Sequence, residues 1–142
     1  MENQTPPVVK VRSLHPSARL PEYATKGAAG ADLRGISVKI GDLQDYAWDQ
    51  ITIPAGQSTI MGTGLCFEIP EDWVMKIHSR SGLGFKFDTQ LANGTGIIDS
   101  DYRGEVMIKL INLSDQSLNL RRGERIAQAL LEPAFRAEYS LS

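Results

Sequence analysis

Arg125–Ala134 reads RIAQALLEPA, and the class of the fold turns on whether this stretch is a helix or a strand. It contains good helix formers, and a few apolar positions recur at a spacing of three or four. Against a helix stand the turn-rich RRGE that runs directly into it and Pro133, which limits its length. Read as a strand, it joins a series of short runs in which apolar and polar residues alternate. These are Val8–Leu14 (VVKVRSL), Ile36–Ile40 (ISVKI), Gln50–Ile53 (QITI), Trp73–His78 (WVMKIH) and Val106–Leu110 (VMIKL). A period of two gives one buried and one wet face, as in an antiparallel sheet. Between the runs lie IPAGQ, IGD, GTGL, IPEDW, SGLG, ANGTG and RRGER, rich in residues that allow tight turns. Many short strands with almost no helix predict an all-β sandwich or barrel. Gly41–Gln50 (GDLQDYAWDQ) breaks the rhythm and is expected to be a surface excursion, with Tyr46 and Trp48 in a local cluster or at a subunit contact.

The 142 residues suit one domain with a real core, and 42% hydrophobic with 23% charged residues is a globular composition. Residues 1–7, with Pro6 and Pro7, read as a loose polar arm, and residues 8–142 as a single domain. Fifteen basic against 17 acidic residues give a net charge of −2, which argues against duplex nucleic acid or an acidic membrane as partner. A small anion held by a few placed cations remains open. Cys66 is the one cysteine, so no internal disulfide forms. No run approaches the ~20 apolar residues of a membrane span, and MENQTPPVVK lacks the order of a signal peptide. The expectation is a cytoplasmic protein.

Four stretches carry chemistry. Gly27–Arg34 (GAAGADLR) sets Asp32 after small residues, either as a tight turn with a solvated acid or as a ligand approach in which Asp32 meets a metal-bound water or a cation. Arg80–Gly84 (RSGLG) offers a forked donor, a hydroxyl and N–H groups to a phosphate, and equally fits a hairpin loop. In Asn93–Gly104 (NGTGIIDSDYRG), a strand would put Asp99 and Asp101 on one face and Ser100 and Tyr102 on the other. A carboxylate near a phosphate suits general-base activation of water, and Asn93 has the donor and acceptor that read an imide edge. In Gly123–Gln128 (GERIAQ), Gln128 would point into whatever the sheet covers, while Arg125 neutralises a carboxylate. Zinc spacing, a GxxxxGK[ST] loop and a nucleophile elbow are all missing; the two histidines, His15 and His78, are far apart. A metal, if used, then arrives on the substrate, as Mg²⁺ does on nucleotide phosphates.

In order, AGADLR, RSGLG, NGTGIIDSDYRGEV and GERIAQ resemble the first four of five motifs of the trimeric, all-β dUTPases, from about Tyr23 to Tyr139. The resemblance implies a jelly-roll-like β subunit of a homotrimer that hydrolyses dUTP to dUMP and pyrophosphate with Mg²⁺ at subunit interfaces. It implies that Asp99 deprotonates the attacking water and that Tyr102 packs against the deoxyribose, excluding a 2′-hydroxyl. Asn93, with Ile97 and Ile98, would hold uracil and sugar, and the backbone near Met107 would complete the base pocket. Arg80, Ser81 and Gly82 would lie along the phosphates of a neighbouring subunit's site with Gln128 nearby, and Asp32 would act through water and metal. The family's fifth motif, a glycine-rich segment of RGxGGFGSTG type, has no counterpart before the final FRAEYSLS. A dUTP-binding or regulatory module lacking that closing arm is therefore the alternative. The related dCTP deaminases place a catalytic glutamate where this chain has Lys109, and a lysine cannot serve as that carboxylate shuttle.

Overall fold

The computed structural model describes residues 5–142. The first strands are β1 (Lys10–Ser13), β2 (Ala31–Arg34), β3 (Ser37–Ile40), β4 (Leu43–Asp45), β5 (Gln50–Ile53) and β6 (Ser58–Glu68). Then follow β7 (Trp73–His78), the helix α1 (Ser81–Phe87), β8 (Thr89–Leu91), β9 (Gly96–Ile98), β10 (Glu105–Asn112), β11 (Leu118–Arg121) and β12 (Arg125–Pro133). The stretch that decided the fold is thus a strand, and the all-β class holds. Its helix-like spacing has a local cause. The register to β2 shifts between Arg125 and Ala127, and this bulge lets the consecutive Ile126 and Ala127 both turn inward.

β12 lies inside an antiparallel sheet ordered β2-β12-β7-β9. A larger sheet runs β4-β3-β6-β10-β8, with β1 also on β6, and β11 pairs with β5. Leu33, Ile77 and Ile126 from the first sheet, Met61, Phe67 and Ile108 from the second, and Ile53 and Leu120 from the pair form one buried cluster. β8 belongs to the large sheet and β9 to the four-stranded one, so the loop between them, 92–95, crosses from one sheet to the other. Gly94 takes φ +75° there, and its N–H meets the Leu91 carbonyl at 3.1 Å.

The structure departs from the sequence reading at several places. GTGL is not a turn but the buried middle of β6, whose run from Met61 to Leu65 is buried throughout and so shows no alternation. The end of Gly27–Arg34 is a strand, β2, rather than a tight turn. RSGLG is not a hairpin loop: Ser81–Phe87 is helical, with Arg80 as extended N-cap and Asp88 in the left-handed region at φ 48° as C-cap. The 41–50 excursion contains β4, and Trp48 belongs to the main core instead of a separate cluster. Tyr46 instead stacks on His15, centroids 4.4 Å apart. Of the expected arm, residues 1–4 lie outside the described residues, and Thr5–Val9 carries no regular structure.

Candidate active site

The crossing loop and the two strands it joins enclose a small pocket of about 130 Å³, lined by Asn93, Gly96, Ile97, Ile98, Met107 and neighbours from β7, β8 and β10. Antiparallel pairing of β9 with β7 sets its floor, with Gly96 opposite Ile77 and Ile98 opposite Met75. A Cβ at Gly96 would press on Ile77 at 3.1 Å and approach the Asn93 amide, so the glycine keeps the pocket open. Its walls are mainly aliphatic, with the Asn93 amide as donor and acceptor and backbone groups of the loop around it. That is suited to a flat heterocycle with alternating polar edges.

Asp99 follows β9 directly. The strand ends at Ile98, and the Tyr102 N–H donates to the Asp99 carbonyl at 3.1 Å, closing a turn. This corrects the expectation of a strand with Asp99 and Asp101 on one face. Asp99 is exposed and lines an open groove of about 830 Å³ shared with Ile97, Ser100, Asp101 and Arg103. Arg103 donates to the Ser100 carbonyl, tightening the same turn. The Tyr102 hydroxyl donates to the Glu105 carbonyl at 2.8 Å, which leaves the ring partly exposed beside the turn.

A second group forms on the other side of β7. Gln128 on β12 stands opposite Asp32 on β2 and opposite His78 on β7. Its amide donates to the Ser79 carbonyl at 3.0 Å, just before Arg80. Asp32, with only 13% of its side chain exposed, meets Arg80 Nε at 3.5 Å and Arg125 Nη1 at 3.4 Å. Arg125 therefore does neutralise a carboxylate. Gly30 makes room for this arrangement, because a Cβ there would overlap the Gln128 amide. Arg34, Arg80, Arg121, Arg122 and Arg125 surround a groove of about 430 Å³ in which Glu124 is the one acid. Such a surface attracts phosphate-rich anions even on a chain of net charge −2. Sequence reasoning missed Arg34, Arg121 and Arg122, since nothing in their spacing brings distant turns together.

The sequence-derived residues therefore fall into two groups: Asn93, Ile97, Ile98, Met107, Asp99 and Tyr102 at one end, and Asp32, Arg80, Ser81, Gly82 and Gln128 at the other. The residues around the small pocket and those around the arginine groove do not overlap. One strand, β7, separates β9 from β12, which sets the groups roughly 10 Å apart at ordinary strand spacing. Among the described residues no group of three or more His, Cys, Asp or Glu side chains is placed to hold a metal ion. Asp32 is engaged by arginines, so the donor set fits Mg²⁺ that keeps its waters and rides on phosphates rather than a protein cage.

An all-β chain with a base-sized pocket, a carboxylate at its rim and a cationic groove defines a nucleotide-handling protein. The dUTPase family model matches residues 17–142. The deoxyuridine 5′-triphosphate nucleotidohydrolase of Nautilia profundicola is 40% identical over 130 residues, covering 92% of this chain and 83% of its own. That of Brucella melitensis biotype 1 is 45% identical over 116 residues, covering 82% and 69%. The chain belongs to the dUTPase family. Its fold is similar to a dUTPase from phage phi11 of S. aureus, solved to show the coordination of a structural Mg(II) ion, with TM-score 0.78, 22% identity and 96% and 97% coverage. A Staphylococcus bacteriophage 80alpha dUTPase with dUpNHpp is similar at TM-score 0.79 and 23% identity, covering 95% and 88%. Among the described residues no helix is long and apolar enough to cross a membrane.

Proposed function

We propose that this protein hydrolyses dUTP to dUMP and pyrophosphate in the cytoplasm, using residues 8–142 as one domain of a homotrimer with active sites at the subunit interfaces. The observation that carries the reading is the pocket built by Asn93, Ile97, Ile98 and Met107 with Asp99 one residue beyond it. Uracil fits between the aliphatic walls, its edge read by the Asn93 amide and loop backbone. Cytosine reverses a donor and an acceptor at one ring position, so it would leave a buried mismatch. Tyr102 lies beneath the deoxyribose.

Asp99 takes a proton from a water whose oxygen attacks the α-phosphorus. The bond from that phosphorus to the bridging oxygen breaks, and pyrophosphate leaves. Arg80, Ser81, Gly82 and Gln128 of a neighbouring subunit hold the phosphates, positioning them and offsetting charge as it moves. Asp32 keeps Arg80 in place; it is also the residue that would meet, through water, Mg²⁺ carried on the nucleotide, and that ion would supply positive charge to offset the phosphates. The separation of the two residue groups within one protomer supports a composite site. So does the 92% exposure of Phe85 on α1 and the 61% exposure of Ile97, apolar side chains that a second subunit or a ligand would cover.

Pyrophosphate release measured with dUTP, dCTP and dTTP in parallel tests the reading. Turnover of dUTP alone is expected, and Asp99→Asn should keep dUTP binding while lowering turnover about 10²–10⁴-fold. Wild-type turnover in that variant would reassign the base. Dependable dUTP binding without turnover in the parent would mark a binding module instead. Sedimentation should give a trimer; a monomer binding dUTP at full strength would refute the shared site.

A further inference from the structure

Tyr102 is held from behind by a polar brace that the reaction itself does not use. Its hydroxyl bonds the Glu105 carbonyl, and Glu105 opens β10 where the ladder to β6 is interrupted. Glu105 stands opposite Cys66 and Met107 opposite Gly62, so Thr63–Leu65 bulges. Gly64 in the bulge has φ +71°, and its N–H, freed from the ladder, donates to the Glu105 carboxylate at 2.9 Å. Gln44 Nε2, from β4, donates to the same carboxylate at 3.0 and 3.1 Å and to Ser37 Oγ at 2.8 Å. Both amide hydrogens are thereby used.

The surroundings are shaped around this arrangement. A Cβ at Gly62 would overlap the Glu105 carboxylate and the Ser37 hydroxyl, and one at Gly104 would come within 2.7 Å of the Tyr102 hydroxyl. Two glycines thus leave room for the brace and for the phenol it carries. Burial and the Glu105 charge push the nearby Tyr46 phenol up, which keeps it neutral beside the carboxylate.

We propose that Glu105 is a positioning residue that fixes the Tyr102 ring, with Gln44 and the β6 bulge as its anchors, and that this brace sets the preference for deoxyribose over ribose. The ribose part rests on the proposed place of Tyr102 beneath the sugar. A charge-assisted bond to a backbone N–H at a bulge is stiff, whereas the turn that carries Tyr102 is exposed, and its bonds from the Tyr102 N–H and from Arg103 hold the backbone rather than the ring. The hairpin of β3 and β4 therefore bears on selectivity without touching the nucleotide.

Glu105→Ala, Glu105→Gln and Gln44→Ala test this with two readouts. One is the NMR signal of the Tyr102 ring in protein labelled with ¹³C-tyrosine, identified by its loss in Tyr102→Phe. The other is the ratio of dUTP to UTP affinity. Glu105→Ala and Gln44→Ala should shift the Tyr102 signal and lower the ratio about tenfold, the effect of losing a hydrogen bond to a charged group. Turnover of saturating dUTP should change about twofold or less. Glu105→Gln still offers Gly64 an acceptor but loses the charge and sets its own NH2 against the Gln44 Nε2, so it should fall between the parent and Glu105→Ala. An unmoved Tyr102 signal and ratio in folded Glu105→Ala and Gln44→Ala would overturn the proposal. If Glu105→Ala does not fold, Gln44→Ala at the sheet edge decides by the same criteria. A parent with no preference for dUTP would count against the place of Tyr102 beneath the sugar, while its ring signal in the variants still decides whether Glu105 positions the ring.

Discussion

Asn112, at the end of β10, has no exposed surface, and replacing it puts a number on how the core tolerates polar groups. Its amide donates to the Ile53 carbonyl at 2.9 Å and the Gln116 carbonyl at 2.7 Å. Its oxygen accepts from the Ser114 N–H at 3.0 Å and hydroxyl at 2.7 Å. These bonds tie β10 to β5 and to the turn before β11. In Asn112→Ala the Ile53 carbonyl is left inside the core without a side-chain donor, at a cost of about 1–3 kcal/mol. Gln116 keeps the Ser114 hydroxyl at 2.8 Å, and Ser114 lies nearer solvent, so each of those losses is about 0.5–1.5 kcal/mol. The sum is about 4 kcal/mol, or a fall of about 8–16 °C in Tm for a chain of this size. Asn112→Asp should be worse at neutral pH, since one carboxylate oxygen keeps the Ser114 donors while the other, in place of the amide nitrogen, would face two carbonyl oxygens with no donor. Its pKa would be raised in the folded state, so stability should recover as pH falls towards ~4, where the protonated acid regains a donor. Urea and thermal unfolding at equal protein concentration measure both. A loss under about 1 kcal/mol in Asn112→Ala would show that water replaces these bonds and that the site is not dry.

Tyr102→Ala should erode discrimination against UTP more than it lowers folding stability, because the ring offers a 2′-hydroxyl no acceptor; equal dUTP and UTP affinities in the parent would defeat this. Burial and the Glu105 charge raise the Tyr46 pKa above 10.0. The stability tied to that shift is fully present below about pH 10 and lost as pH rises through the raised value. The stability gap between the parent and Tyr46→Phe should therefore change between pH 8 and pH 11 in urea titrations, and a constant gap would refute it. Replacing Arg121 and Arg122 together with Gln should flatten the ionic-strength dependence of kcat/KM for dUTP while kcat stays within about twofold. An unaltered salt slope would show that the groove plays no part in capture.

Strands with one buried face were legible because period-two alternation is their direct imprint: Gln50–Ile53 and Trp73–His78 match β5 and β7 end to end. β6 was not, because its middle is buried on both faces and its glycines serve a bulge and a close approach instead of a turn. α1 escaped notice since SGLGFKF has two glycines and one buried side chain, Leu83, and no propensity argument favours it. At the site, local order along the chain placed Asp99 immediately beyond the pocket of Asn93, Ile97 and Ile98. The Asp32 pairing with Arg80 and Arg125 spans three separate segments; the sequence suggested that Asp32 could meet a cation and that Arg125 would find some acid, but not that they meet each other or that Arg80 joins them. Glu105 and Gln44 were invisible as partners, 61 residues apart, because a side chain that completes a bulge has no periodicity of its own.

The placing of Gln128 level with Asp32 and His78 across three adjacent strands limits which insertions and deletions the gene can accept. A single codon gained or lost between Ala127 and Leu131 would advance one half of β12 by one residue. Gln128 and Leu130 would then exchange sides with the core-facing Ala129. The same change next to Ile126 falls in the bulge, where an odd residue is already accommodated. Length variation among descendants of this sequence should therefore collect at the Gly123 turn and the Arg125–Ala127 bulge, and the codons from Gln128 to Leu131 should change only by substitution.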